Sequence, residues 1–368
     1  MRRRLAGETM PRAGIAELLN LTRVLASGHL MQHAGDKRSF TSRFEAALAG
    51  KIGVKHALAV NSGTSGLITA LTAAGIGPGD EVLIPAYTWV STAIAPLAVG
   101  AVPILVDIDE TLTIDAEDLE RKISPYTRAI IPVHMVNHVC CMDKIMAVAE
   151  RHELIVIEDA CQAVGITYKG RRVGSIGDAG VFSFNHYKNM SSGEGGALLT
   201  NNSSLHHRAK VYHDVGSYFQ EFRTNSFDFS GCNLRISELT GAVLHAQLRK
   251  LDGHLAHLKR ARVKKLKAPN FSGVQLSPHH DIQDAVGLTF LFDSAGEAKR
   301  FAEKNRGVVV ISDIKKYDYL SWLPVLQKCR NDPRKDPFLS AKRDITYSPD
   351  MCSKTLDILS RSCLVTAS

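Results

Sequence analysis

The sequence predicts an α/β fold in which helices cover both faces of a seven-stranded sheet, followed by a smaller α+β domain. Between residues 57 and 200, short apolar runs alternate with segments of helical periodicity, as in a sheet covered on both faces. This alternation then stops and one long helical pattern covers residues 236–266. We therefore divide the chain into an N-terminal segment with a large α/β domain (1–235), a connecting helix (236–266) and a small C-terminal α+β domain (267–368).

The seven strands are predicted from apolar runs of four or five residues that are bounded by turn-forming or polar residues. These runs are residues 57–60, 81–84, 102–106, 129–133, 154–157, 180–184 and 197–200. Helical spacing predicts helices at residues 15–25, 42–48, 67–74, 91–99, 116–123, 142–152 and 205–211. In the small domain we expect strands at 287–292 and 308–311 and helices at 295–304 and 355–359.

Composition excludes several classes of protein. The 368 residues are 45% hydrophobic and 22% charged, and the apolar stretches are too short to span a bilayer, so no membrane association is expected. Seven cysteines at irregular spacing predict neither a metal site nor disulfides, which favours a cytoplasmic protein. The net charge of +8 is scattered, and its densest patch, residues 259–267, follows a helical pattern typical of a solvated face. We expect no nucleic-acid partner.

Two neighbouring strands are predicted to bring an acid and an amine to the same edge of the sheet. Asp159 follows the strand at 154–157, and Lys188 follows the strand at 180–184. Ligands of open α/β sheets bind where such strands end. A lysine that forms a Schiff base, together with an aspartate that keeps a pyridine nitrogen protonated, is what pyridoxal phosphate (PLP) chemistry requires. The alternative is that Asp159 caps a helix and Lys188 is an ordinary surface lysine.

Three further positions each have two interpretations. The turn Ser62-Gly63-Thr64 lies between a strand and a helix, so its N–H and hydroxyl groups can bind a phosphate, or Ser62 can simply cap the helix. Trp89 at a strand end can stack on a flat cofactor or belong to the core. His134 can contact a ligand or be a buried histidine with its hydrogen bonds satisfied.

These segments resemble the fold-type I, PLP-dependent sugar aminotransferases of the DegT/DnrJ/EryC1/StrS family. The resemblance covers roughly residues 15–260, and its motifs occur in order at the expected intervals. They are Asn61-Ser62-Gly63-Thr64, Gly77-Pro78-Gly79-Asp80-Glu81-Val82, Pro85-Ala86-Tyr87-Thr88-Trp89, Glu158-Asp159-Ala160-Cys161-Gln162-Ala163, Phe182-Ser183-Phe184, Lys188-Asn189, Gly193-Glu194-Gly195-Gly196 and Gly231-Cys232-Asn233-Leu234-Arg235-Ile236-Ser237-Glu238.

The resemblance implies a fold-type I transferase with a mixed seven-stranded sheet, and it implies a role for each matching residue. Lys188 forms the internal aldimine and moves protons, and Asp159 pairs with the pyridinium nitrogen. The remaining implied cofactor contacts are Gln162 to the ring hydroxyl, Trp89 to the ring face, Gly63, Thr64 and Ser183 to the phosphate, and Asn233 to the phosphate bound by a neighbouring subunit. The last contact implies a homodimer with shared active sites.

The implied activity moves an amino group from glutamate or glutamine to a keto sugar, either a nucleotide-linked sugar or an octulosonate-type sugar acid, in amino-sugar biosynthesis. The cofactor alternates between PLP and pyridoxamine phosphate (PMP). The family also contains dehydratases that use PMP or PLP. Histidine commonly replaces the lysine there, so Lys188 favours transamination.

Two departures from the family pattern stand out. The segment from Met135 to Cys141 has no glycine near Asn137, where many members carry one. We expect the C-terminal domain to be shorter than in relatives, which leaves a catalytically weak PLP-binding partner or regulatory subunit as an alternative. Yellow protein that does not bleach with glutamate would favour that alternative.

Overall fold

The computed structural model describes residues 13–32, 39–216, 229–328 and 332–365. Its helices are α1 Ile15–Ser27, α2 Phe40–Ile52, α3 Gly63–Ala73, α4 Ser91–Ala98, α5 Ala116–Arg121, α6 Met142–Arg151, α7 Ser203–His213, α8 Glu238–Leu266, α9 Ala295–Lys304, α10 Leu323–Leu326 and α11 Ser353–Ser360. Its strands are β1 His56–Val60, β2 Glu81–Pro85, β3 Val102–Val106, β4 Thr127–Ile130, β5 Ile155–Asp159, β6 Thr167–Tyr168, β7 Arg171–Arg172, β8 Ala179–Ser183, β9 Gly196–Thr200, β10 Thr289–Leu291, β11 Val308–Val310 and β12 Ser362–Val365.

The large sheet has the strand order β1-β9-β8-β5-β4-β2-β3. The pairs from β8 to β3 are parallel, whereas β9 runs antiparallel to both β8 and β1. This arrangement confirms the predicted mixed sheet of seven strands. Because parallel strands end at one edge of a sheet, the residues that follow β1, β2, β5 and β8 lie along the same edge, together with the first residue of β9.

Helices cover both faces of this sheet, as predicted. Along β5, Val156 packs into a core cluster with α2, α6 and α8, whereas Ile157 packs into a second cluster with α3, α4 and α7. The same division occurs along β8, where Phe182 joins the first cluster and Val181 the second. Strands buried on both faces are apolar throughout rather than alternating, which explains the continuous apolar runs of the sequence.

The structure differs from the predicted elements at several ends. Strand β4 stops at Ile130 rather than at residue 133, and Pro132, two residues further on, has no N–H to donate. Strand β5 extends through Asp159, so the acid lies within the strand. The prediction missed β12, which is the central strand of a three-stranded antiparallel sheet with β10 and β11. Helix α8 continues through Gly253.

The division of the chain at residues 235 and 266 stays a prediction. In the described parts of the chain, no helix combines the length and apolarity that crossing a membrane requires.

Candidate active site

Three of the predicted site residues, Gly63, Asp159 and Ser183, meet around Cys161, just beyond the end of β5. A Cβ atom on Gly63 would lie 2.7 Å from Cys161 Sγ and 2.9 Å from Ser183 Cβ. The Cys161 N–H donates to Asp159 Oδ1 at 3.2 Å. Burial raises the pKa of the Cys161 thiol well above its ordinary value, the Asp159 charge raises it further, and the Lys188 charge opposes both. Residues from three separate segments therefore share one small region of the sheet edge, and the Lys188 charge acts on it.

Asp159 is a buried carboxylate whose orientation is fixed by a short chain of hydroxyl groups. Asp159 is only 5% exposed, and Thr92 Oγ1 donates a hydrogen bond to its Oδ2 at 2.8 Å. Thr92 Oγ1 in turn lies 2.8 Å from Thr88 Oγ1. Two described donors use two of the roughly four acceptor positions of a carboxylate. Asp159 therefore retains capacity to accept a hydrogen bond from a ligand.

Lys188 lies in the loop that joins β8 to β9. The Phe184 N–H donates to the Gly195 carbonyl at 2.8 Å, which joins the two ends of the loop, and within the loop the Lys188 N–H donates to the Asn185 carbonyl at 3.0 Å. Gly193 and Gly195 have φ values of 89° and 147°, a region that favours glycine. The lysine is half-buried beside the edge at which Asp159 lies.

The turn before α3 caps the helix through Ser62 and still leaves backbone N–H groups that could bind an anion, so the two alternatives are compatible. Ser62 Oγ accepts from the Ser65 N–H at 3.0 Å and caps the helix. The N–H groups of Gly63 and Thr64 lie in the first turn, where an α-helix provides no internal acceptor and can bind an anion. Thr64 Oγ1 donates to Ser91 Oγ at 2.8 Å, which places this turn beside the start of α4.

Trp89 is not a core residue, because its side chain is 45% exposed at the same edge. Its ring centroid lies 6.1 Å from that of Tyr317, and the Thr88 N–H donates to the Tyr317 carbonyl at 2.8 Å. Tyr317 belongs to the C-terminal part of the chain and was not predicted as a site residue.

Gln162 follows Asp159 by three residues in the sequence. Its side-chain oxygen Oε1 accepts a hydrogen bond from the Val136 N–H at 3.4 Å.

His134 has the environment of a buried structural histidine. Its Nδ1 accepts from the Cys140 N–H at 3.1 Å, so Nε2 carries the proton and donates to Glu158 Oε2 at 3.0 Å. Burial alone would raise the pKa of Glu158, but the His134 hydrogen bond and backbone N–H donors, including those of Gly174 and Gly177, lower it. The hydrogen-bonded pair of His134 and Glu158 therefore stabilises the end of β5.

Asn233 lies apart from this group. It is exposed, and its described contacts are a bridge to Asp214 and a bond from the Arg235 N–H to its side-chain oxygen at 3.4 Å. The neighbouring Leu234 carbonyl accepts from the Asn61 N–H at 2.8 Å. Asn233 is thus anchored next to the Ser62 turn without joining the residues around Cys161.

Signals for the missed residues are present in the sequence. Thr88 and Thr92 flank Trp89 and are four residues apart, the spacing that places two side chains on the same side of a helical turn. Cys161 lies two residues after Asp159. Tyr317 carries no local signal, since only the fold brings its segment to Trp89.

Known proteins with similar sequences are named as sugar-modifying enzymes. The chain is 45% identical over 222 residues to the GDP-perosamine synthase of Caulobacter vibrioides, a match that covers 60% of this chain and 59% of the relative. It is 41% identical over 225 residues to an L-glutamine:2-deoxy-scyllo-inosose aminotransferase of Micromonospora echinospora, covering 59% of this chain and 54% of the relative. The chain therefore spans less than two thirds of the length of these curated relatives.

Solved structures of similar fold cover nearly the whole chain. The structure of 3-amino-5-hydroxybenzoic acid synthase has a TM-score of 0.77 and 25% identity, covering 99% of this chain and 94% of that chain. The structure of S. venezuelae DesV in complex with a ketimine intermediate has a TM-score of 0.73 and 28% identity, covering 95% and 88%. The sequence model of the DegT/DnrJ/EryC1/StrS aminotransferase family matches residues 12–304. This chain belongs to the DegT/DnrJ/EryC1/StrS aminotransferase family.

Proposed function

We propose that this protein is a PLP-dependent aminotransferase that moves an amino group from glutamate or glutamine to a keto sugar. The observation that carries the proposal is the convergence of Gly63, Asp159 and Ser183 around Cys161, with the half-buried Lys188 in the loop that follows β8. Family membership and the sugar aminotransferases among the relatives support the reaction class. The names of two relatives, a GDP-perosamine synthase and a UDP-N-acetyl-3-dehydro-alpha-D-glucosamine 3-aminotransferase, favour a nucleotide-linked sugar over a free sugar acid.

The side chains present fit the cofactor. A Cβ on Gly63 would fill the space against Cys161 and Ser183, so only glycine leaves the first turn of α3 open to a phosphate. Asp159 offers a buried acceptor, and Trp89 offers an exposed aromatic face. The amine of Lys188 is the nucleophile that an aldehyde requires. An anion cradle, an acceptor, a ring face and an amine match the four chemical parts of PLP.

When bound, PLP supplies a protonated pyridine ring that withdraws electrons from the carbon bearing the transferred nitrogen. Asp159, held by Thr92, would keep the ring nitrogen protonated. Lys188 Nζ would hold the cofactor and, once released, would accept and return a proton as general base and acid. Gly63, Thr64 and Ser183 would bind the phosphate, Gln162 the ring hydroxyl, and Trp89 would cover the ring.

We also propose that the protein acts as a homodimer in which Asn233 reaches the phosphate bound by the partner. The exposure of Asn233 supports this, because its side chain is available to a second molecule. Helix α1 exposes a row of large apolar side chains, with Ile15 77%, Leu18 64% and Leu25 62% exposed. Single exposed apolar side chains are common on monomers, whereas several on one helix are typical of an interface.

A transfer assay tests this proposal. Purified protein with PLP is incubated with glutamate or glutamine and a panel of keto sugars, nucleotide-linked and free, and products are identified by mass spectrometry. An amino sugar formed by the wild type and not by Lys188→Ala supports transamination, and comparison of the two donors identifies the donor. A product that has lost a hydroxyl without gaining nitrogen would identify a dehydratase instead. Cofactor colour without product or bleaching would identify a binding-only protein.

A further inference from the structure

A strained turn lies between the end of β4 and α6. Val136 and Asn137 have φ values of 51° and 64°, in the left-handed region. Asparagine adopts this region with moderate frequency, but a β-branched residue such as valine is an outlier there. Such strain persists only where surrounding contacts hold it, and it is concentrated at functional sites. The contacts of this turn therefore indicate what it does.

One set of contacts comes from the C-terminal part of the chain. His279 Nδ1 accepts from the Asp281 N–H at 3.0 Å, so its Nε2 carries the proton and donates to the Asn137 carbonyl at 3.3 Å. A Cβ on Gly287 would lie 2.6 Å from the Val136 carbonyl oxygen, a contact that only glycine permits. These residues hold the turn from outside the site.

The other set of contacts leads directly to the site. Asn189 Nδ2 donates to Asn137 Oδ1 at 2.8 Å and to the Val164 carbonyl at 3.1 Å. Asn189 follows Lys188 in the chain, so these bonds restrain the backbone that carries the lysine. The Val136 N–H donates to Gln162 Oε1 at 3.4 Å on the other side of the turn. The turn thus contacts both Asn189, which follows Lys188, and Gln162, which is proposed to contact the cofactor ring.

We propose that Asn137 and Asn189 are positioning residues that fix the backbone of Lys188, and that the strained turn transmits this restraint from His279 and Gly287. The consequence for cofactor binding rests on the proposed function of Lys188. The restraint itself does not depend on that function, because it consists of contacts between residues of the chain. Where glycine replaces Asn137, the turn retains its backbone but loses the side-chain acceptor for Asn189.

The test compares three substitutions in the full chain. Asn137→Gly tolerates φ of 64° and removes only the side chain, so we expect the melting temperature to fall by no more than about 4 °C. Hydrogen–deuterium exchange of residues 185–190 in the cofactor-free protein should rise about fivefold, the effect of losing a hydrogen bond of about 1 kcal/mol. Asn137→Asp retains an acceptor oxygen and should exchange like the wild type. Asn189→Ala should raise exchange at least as much, and adding Asn137→Gly to it should change nothing further.

A second measurement links the restraint to the cofactor. The rate at which PLP develops its visible absorbance on the apoprotein should fall about fivefold in Asn137→Gly and stay unchanged in Asn137→Asp, if the lost bond contributes about 1 kcal/mol. Wild-type exchange in Asn137→Gly and in Asn189→Ala would overturn the proposal. Raised exchange with no covalent link between PLP and Lys188 in the wild type would instead refute the proposed function and leave the restraint standing.

Discussion

Substitution of Gly63 by alanine tests whether the phosphate turn, Cys161 and Ser183 pack as closely as the structure shows. The added Cβ would lie 2.7 Å from Cys161 Sγ and 2.9 Å from Ser183 Cβ, whereas ordinary contacts begin at 3.4 Å. The sulfur must therefore move by about 0.7 Å (3.4 minus 2.7) and the Ser183 carbon by about 0.5 Å (3.4 minus 2.9). Overpacking of this kind costs about 1–3 kcal/mol of unfolding free energy.

Gly253→Ala is the matched control for this substitution. Gly253 lies inside α8, and a Cβ there would meet nothing within 4 Å. Because alanine has a higher helix propensity than glycine, Gly253→Ala should raise the unfolding free energy of the protein by about 0.5–1 kcal/mol. Because both variants exchange a helical glycine for alanine, the difference between them isolates the steric cost. We expect Gly253→Ala to be more stable than Gly63→Ala by about 1–3 kcal/mol in urea unfolding.

The cofactor provides a second assay of the same change. Displacement of Ser183 and obstruction of the α3 N-terminus should weaken PLP binding at least tenfold, equivalent to about 1.4 kcal/mol. Removing the sulfur with Cys161→Ala in the Gly63→Ala background should restore part of the lost stability. Equal stabilities of Gly63→Ala and Gly253→Ala, together with wild-type PLP affinity, would refute the packing that places these residues in one site.

Two further predictions concern buried polar groups. Thr92→Val removes the donor to Asp159 and should lower the unfolding free energy by about 1.5–3 kcal/mol, whereas Thr92→Ser retains the hydroxyl and most of the stability; equal losses in urea unfolding would contradict this. Burial, together with the proximity of His279 and of the Arg262 charge, lowers the pKa of His138 to about 3. Its folded-state pKa lies below the unfolded value of 6.5, so stability is full above pH 6.5 and falls towards pH 3, by up to about 1.4 kcal/mol per pH unit. Between pH 7 and 5, His138→Gln should flatten this decline and a substitution at the exposed His29 should not; identical slopes would refute it.

The architecture of the large sheet could be predicted because its strands are buried on both faces. Such strands are short, apolar runs, and each is followed by a proline or a polar residue that the sequence displays. Strand β12 was missed because it begins only one residue beyond α11 and comprises only Ser362–Val365. Its identity as a strand depends on partners far away in the chain, β10 and β11, which a local pattern does not contain.

The candidate site was predicted unevenly for a similar reason. Asp159 and Lys188 follow recognisable strands, so the edge that they share could be inferred from the order of the elements. The proximity of Cys161 to Gly63, and that of Asn137 to Asn189, is created by the folded loops and has no periodic signal. The Ser62 turn had two interpretations because helix capping and anion binding use the same residue types, and the structure assigns the hydroxyl to the cap.

The most direct test of the central claim is to locate the covalent attachment of the cofactor. Wild-type protein is incubated with PLP, reduced with borohydride, digested and analysed by mass spectrometry. We predict that the cofactor mass is found on the peptide that contains Lys188, and that Lys188→Ala, which retains every other residue of the site, carries none. Attachment of the cofactor at a different lysine of the wild type would contradict the account. So would the absence of any attachment to the wild-type protein.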